Sequence, residues 1–194
     1  MENMFINDCL VINPTVPDKV IWKLQKNGVF TVNSAWKEMN SNQDRVSWHS
    51  IVWFPGQIPR HSFVTWLALL GRLNTKDKLI KWGVINSNVC SLCNQEAEDI
   101  EHLFFDCCFS AHIWGKVLRC NDEARQKFCW RREVSYFCRR YKGKSVKAKL
   151  RKLWFNATVY HIWGARNNVI FNQGGIDADM IFSKIEFDVK NRAS

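Results

Sequence analysis

The stretch Cys90-Ser-Leu-Cys93-Asn-Gln-Glu-Ala-Glu-Asp-Ile-Glu-His102-Leu-Phe-Phe-Asp-Cys107 decides the reading of this chain. Two cysteines with two residues between them can place both thiolates on one ion through a tight knuckle. A His/Cys pair a short loop further on can close a tetrahedron around it. Thiolate and imidazole donors suit Zn²⁺, and four protein ligands leave no open position. The expected site is therefore structural, with one Zn²⁺ held by Cys90, Cys93, His102 and Cys107. Cys108 stands beside Cys107 and offers an alternative fourth thiolate.

Helical patterns flank this loop. Pro55, Gly56 and Pro59 break the chain before a segment in which Phe63, Trp66, Leu67 and Leu70 mark one helix face. Thr75 is an N-cap for a short helix that carries Leu79 and Trp82 and stops at Gly83. Beyond the loop, Phe109, Ile113, Trp114 and Val117 mark another face. The metal is expected to tie these helices, with Trp66, Trp82 and Trp114 covering it. The longest helix is predicted from Ser145 to Phe171, with Val146, Leu150, Leu153, Trp154, Ala157 and Tyr160 inward and Gly174-Gly175 as its stop. A last amphipathic piece uses Ile181, Ile185 and Val189.

At the front, Val20, Trp22 and Leu24 alternate with polar residues, Lys26-Asn27-Gly28 signals a tight turn, and Val29-Phe30-Thr31-Val32 follows. That pattern predicts a β-hairpin, then a short helix from Ser34 to Met39 and a polar loop from Asn40 to Arg45. The expected fold is mainly α with a short N-terminal β-hairpin: a small zinc-stapled helical domain with a long C-terminal helix. Its expected parts are the hairpin and short helix (1–45), a zinc-binding domain (46–118), a basic connector (119–144) and a C-terminal helical segment (145–194).

Several pieces of the chain, in order, resemble the zinc-binding domain at the reverse-transcriptase end of plant non-LTR (LINE-type) retrotransposon polyproteins. They are Trp53-Phe-Pro, Ile58-Pro-Arg-His-Ser-Phe-Val-Thr-Trp66, Arg72-Leu-Asn-Thr-Lys-Asp-Lys-Leu79, Trp82-Gly83, the Cys90/Cys93 pair, and His102-Leu-Phe-Phe-x-Cys107 followed by Trp114. Weaker resemblance reaches back to Val20-Ile-Trp22 and Gly28-Val-Phe-Thr-Val-Asn-Ser-Ala-Trp36. It reaches forward to Ile162-Trp163-Gly-Ala-Arg-Asn-Asn168 and Phe171. The family pattern has four residues after its histidine, which selects Cys107 over Cys108. In such polyproteins a polymerase lies upstream and a ribonuclease H domain often lies downstream. The resemblance covers neither.

Charge adds a second signal. The chain carries a net +10, and the whole excess sits between Lys116 and Lys152, where fourteen Lys/Arg face three acids. Arg131, Arg132, Arg139, Arg140, Lys142 and Lys144 lie there, interleaved with Phe128, Trp130, Tyr136, Phe137 and Tyr141. Cations among aromatics suit a phosphate backbone with exposed bases, so RNA or single-stranded DNA is the expected partner. A solvated charged connector is the competing reading. The metal loop is the opposite: Glu96, Glu98, Asp99, Glu101 and Asp106 meet no Lys or Arg between Cys93 and Cys107, so this loop is expected to repel phosphate.

Other features narrow the class. No apolar run is long enough to span a bilayer, and the amino terminus lacks a basic segment followed by an apolar one. Eight cysteines with a CxxC and a nearby His read as metal chemistry in a reducing compartment, so the expected location is intracellular, nuclear or cytoplasmic, and not secreted. Neither a membrane nor a small-molecule substrate is an expected partner. Cys108 and His112 share a helix face and read as packing, while Cys9, Cys120, Cys129 and Cys138 read as buried or free thiols. His49, His61 and His161 have no acid nearby in sequence and receive no chemistry. A Tyr-x-Asp-Asp signature and a Gly-rich phosphate loop are both missing, and Asp177, Asp179, Glu186 and Asp188 share one terminal segment that reads as a solvated face. The expected protein is a non-catalytic zinc-binding module. The alternative is a zinc-folded interaction or relic module without nucleic-acid affinity.

Overall fold

The computed structural model describes residues 20–23, 25–39, 46–172 and 174–193. Its helices are α1 (Val32–Met39), α2 (His49–Val52), α3 (Pro59–Leu69), α4 (Lys76–Lys81), α5 (Cys108–Cys120), α6 (Trp130–Arg140), α7 (Val146–Asn172) and α8 (Ala178–Ala193), with a π-helical turn at His102–Asp106. The chain divides into two compact units, Met1–Arg45 and Val46–Ser194. The expected loop at Asn40–Arg45, Leu24 and Cys9 lie outside the described residues.

In the first unit the expected β-hairpin does not form, and no strand is present among the described residues. The chain does turn back: Trp22 N–H donates to Gly28 O (2.8 Å), and the rings of Trp22 and Phe30 meet edge-on at 5.0 Å. Gly28 takes φ +68°, but Asn27 does not join it in the left-handed region that a type I′ turn needs at both positions. The donors of the second strand are taken elsewhere. Val29 N–H goes to Asn27 Oδ1 (3.1 Å) and Thr31 N–H to Ser34 Oγ (3.2 Å). Thr31 Oγ1 in turn accepts Ser34 N–H (3.1 Å), a reciprocal cap that starts α1 at Val32. Helix capping has consumed the residues a ladder would require.

In the second unit α7 is the central element, with α8 along it and α3 and α5 packed on it. It is the long C-terminal helix expected from the sequence. Ser145 Oγ accepts Ala148 N–H (3.2 Å) at its start. Leu153, Trp154 and Ala157 are buried as expected, whereas Val146 in the first turn is exposed. Residues 151–159 are buried without interruption, so this helix has no wet face over more than two turns. Two of its buried polar side chains bond to backbone: Asn156 Nδ2 donates to Ile51 O (2.9 Å) and Lys152 Nζ to Gly143 O (3.0 Å).

Helix α3 is rotated from its expected register. His61, Ser62, Thr65 and Ala68 face inward, while Phe63 and Leu70 are exposed. Small side chains let α3 approach its neighbours closely, and Ser62 Oγ ties it to Val52 O (2.8 Å). Helix α4 ends as expected, with Gly83 at φ +68° and Val84 N–H returned to Leu79 O (2.9 Å).

The stretch read as a basic connector contains α6, whose inner face joins an aromatic core. Phe137 lies 4.6 Å from Phe155, Trp130 lies 5.1 Å from Phe104, and Phe105 lies 5.0 Å from Trp114, as ring-centroid distances. Buried Glu133 locks the segment in place, accepting from Trp114 Nε1 (2.8 Å), Phe128 N–H (2.9 Å) and Arg125 (2.8 and 2.9 Å). Residues 46–194 thus share one core across the expected boundaries at 118 and 144.

Candidate metal centre

The knuckle is built by backbone. An isolated antiparallel bridge pairs Val89 with Ala97, Cys90 N–H donates to Glu96 O (2.7 Å), and Asn94 N–H closes onto Cys90 O (2.9 Å). Asn94 stands at φ +54°, a conformation asparagine tolerates better than most residues. The second half of the site comes from the π-helical turn. Cys107 N–H reaches back five residues to His102 O (2.6 Å). That widened turn sends Leu103, Phe104 and Phe105 into the core and leaves His102 and Cys107 at its two ends.

The four donor atoms lie within 4.8 Å of one another. Cys90 Sγ is 4.0 Å from Cys107 Sγ, and Cys93 Sγ is 3.3 Å from His102 Nε2. Tetrahedral Zn²⁺ with ordinary Zn–S and Zn–N bonds separates its donors by about 3.4–3.8 Å. The donor set and its spacing suit one zinc ion. Glu96 Oε2 lies 3.3 Å from His102 Nδ1, where a carboxylate can orient a metal-binding imidazole. His102 N–H is fixed by Asp99 Oδ1 (2.8 Å).

Cys90 and Cys107 are fully buried, with their Sγ atoms in hydrogen-bond contact at 4.0 Å. The hydrogen bond to Cys107, against the cost of burial and with help from the Leu92 and Cys93 N–H groups, draws the Cys90 thiol down to about 5. The same hydrogen bond raises Cys107. The lowered Cys90 favours the thiolate form that a metal ion would bind. Cys107, not Cys108, belongs to the cluster; Cys108 is exposed in the first turn of α5. The expected tryptophan cover is not complete. Trp82 is 60% exposed, and Trp114 is engaged in the aromatic core.

Residues 30–114 match the family model described as zinc-binding in reverse transcriptase. Over those residues the chain is similar to a reverse-transcriptase zinc-binding domain. A curated protein of Arabidopsis thaliana whose provisional name is ribonuclease H protein is 25% identical over 105 residues, which is 52% of this chain and 17% of that protein. The chain therefore spans about a sixth of that relative's length. No solved structure matches.

Around this zinc-binding domain, the cations between Lys116 and Lys152 separate into two groups. Arg125 is bound to Glu133 and Glu123, Arg151 is buried on Asn121, and Lys152 is buried beside Phe54. Arg131, Arg132, Arg139, Arg140, Lys142 and Lys144 are exposed. Among them Arg131 pairs with Glu101 (2.7 Å) and Arg132 lies over Phe128. The interleaved aromatics follow helix periodicity instead of forming a stacking platform: Trp130, Phe137 and Tyr141 are buried.

Two relationships escaped the sequence reading. Glu98, counted there among the acids of a phosphate-repelling loop, is 0% exposed and paired with Arg166. His61 and His161, assigned no chemistry for want of a neighbouring acid, converge on Asp188 from three different helices. Burial, with the neighbouring His161, lowers His61 to about 4, and burial lowers His161 as well. A His at position 61 on the inward face of α3 was the available signal, hidden because the apolar pattern pointed to the wrong face.

Proposed function

We propose that this zinc-binding domain is a non-catalytic nucleic-acid-contacting module, in which zinc shapes the centre and the outer face of α6 meets phosphate. The observation that carries the reading is positional. With 3.6 residues per turn, Arg131, Arg132, Arg139 and Arg140 occupy the outward half of α6, and Lys142 and Lys144 continue the row toward α7. Their helix is held rigidly by Glu133 and the aromatic core, so the cations are presented on a fixed surface. With Trp130, Phe137 and Tyr141 turned inward, contact is mainly to phosphate and not by stacking, which supports binding with little sequence preference.

The late carboxylates support a non-catalytic role. Asp179 is bonded to Lys116, Glu186 to Lys190 and Asp188 to His161. They do not converge as paired-cation nuclease chemistry requires. One observation favours the rival reading of an interaction module: Arg131–Glu101 and Lys127–Asp106 (3.2 Å) spend part of the basic segment on the acidic loop. Binding of the zinc-loaded chain to a generic single-stranded RNA, titrated over a range of salt, separates them. Affinity that falls steeply and log-linearly with salt supports the phosphate surface. No binding at low salt overturns it.

A further inference from the structure

A second cluster of metal-type donors contains no cysteine. His61 in the first turns of α3, His161 within α7 and Asp188 on α8 bring one donor each, and the three donor atoms lie within 4.8 Å of one another. Asp188 Oδ2 is 2.8 Å from His161 Nε2 and 3.3 Å from His61 Nε2. His61 is 1% exposed, and neither of its ring nitrogens makes a hydrogen bond. The His161–Asp188 hydrogen bond leaves this imidazole unsatisfied, and a buried polar group without a partner is costly. The ring is nonetheless held in place, stacked on Tyr160 at 4.2 Å between centroids, with its Nε2 3.3 Å from the carboxylate.

We propose that His61, His161 and Asp188 form a second metal site, separate from the cysteine centre, for a divalent transition-metal ion of the zinc class. Two imidazoles and one carboxylate suit such an ion better than Mg²⁺ or Ca²⁺, which prefer all-oxygen shells. Tetrahedral coordination at ordinary Zn–N and Zn–O lengths sets donors about 3.3–3.5 Å apart. The His61–Asp188 separation already has that value, and His161 needs to draw back by only about half an ångström. Three protein donors leave a fourth position. His161 and Asp188 line a surface pocket with Arg60, Tyr160, Lys184 and Phe187, so water or an anion can complete the shell. Arg60 and Lys184 oppose a dication there and favour an anionic fourth ligand. The second ion consequently binds more weakly than the one on three thiolates.

The experiment is equilibrium dialysis of the full chain against Zn²⁺, read as zinc per chain by elemental analysis, with a Mg²⁺ arm and with folding followed by circular dichroism. The parent is expected to saturate at two zinc ions, the second removed first by a mild chelator, and to take up no second ion from Mg²⁺ alone. His161→Gln and Asp188→Asn are each expected to stop at one. Cobalt titration of the parent gives a reading independent of any variant. The first equivalent brings thiolate charge-transfer absorption, and the second brings visible d–d bands without further charge transfer. Saturation of the parent at one zinc, a second ion retained in both folded variants, or a second cobalt equivalent that adds no visible band would each overturn the site.

Discussion

Arg166 on α7 closes on Glu98, sixty-eight positions earlier in the metal loop, through Nε at 3.0 Å and Nη2 at 2.7 Å from the same carboxylate oxygen. Both side chains are buried. Glu98 also accepts Lys76 N–H (3.0 Å), and Arg166 donates to Asn74 O (3.1 Å). One ion pair therefore fastens the zinc loop, the start of α4 and the central helix to one another. Its position explains why a glutamate inside a run of acids is no part of the acidic surface.

Removing either partner strands a buried charge, which costs about 3–5 kcal/mol. Glu98→Ala and Arg166→Ala are each expected to lower the urea midpoint by a corresponding amount with zinc bound. The double replacement by apolar residues is expected to cost less than the sum of the singles, because no uncompensated charge remains. A Glu98→Ala chain as stable as the parent would contradict this role.

Zinc removal is expected to loosen the centre and not merely empty a loop. His102 and Cys107 bracket Leu103-Phe104-Phe105, so their geometry places three fully buried core side chains. Structural zinc contributes about 10–16 kcal/mol in small peptide systems. Cys93→Ser and His102→Ala are each expected to lose the cysteine-site zinc and the cooperative thermal transition of the parent. A metal-free Cys93→Ser chain that melts sharply at the parent temperature would show that the ion is dispensable.

How much of this was legible in the sequence depended on the range of the interaction. The metal ligands were readable because a knuckle is local: Cys90, Cys93 and their backbone donors lie within a few residues. The long helix was readable from its length and its terminal glycines. The hairpin was misread because turn chemistry at Asn27-Gly28 is local, whereas Thr31 and Ser34 compete for the same donors in favour of a helix. The inward face of α3 was misread because its large apolar residues are not the ones that pack. Glu98–Arg166 and His61–His161–Asp188 join residues too distant for any spacing rule.

The choice between adjacent cysteines has its own test. Cys107 is buried within the cluster, and Cys108 is exposed. Cys107→Ser is expected to lower zinc stoichiometry at the cysteine centre, and Cys108→Ser is expected to leave both stoichiometry and stability unchanged. Of these two, Cys108 alone should react rapidly with a thiol reagent while zinc is bound, since a metal-held thiolate is shielded. The reverse pattern in the two serine variants would reassign the fourth ligand.

The phosphate surface is tested through charge pairs as well as deletions. Replacing Arg131, Arg132, Arg139 and Arg140 together by glutamine is expected to weaken binding to single-stranded RNA. Each lost phosphate contact should reduce the salt slope by about 0.7–0.9. These side chains are exposed and make few internal contacts, so the fold should persist. Arg131 differs from the other three because Glu101 already holds it at 2.7 Å. Arg131→Gln alone is therefore expected to have a small effect, and Glu101→Gln, which frees that cation, to strengthen binding. The direction of the Glu101 result is diagnostic, since a non-specific loss of structure could only weaken affinity. A quadruple variant with the parent's affinity and salt slope would move the reading to an interaction module in which α6 and the acidic loop neutralise one another.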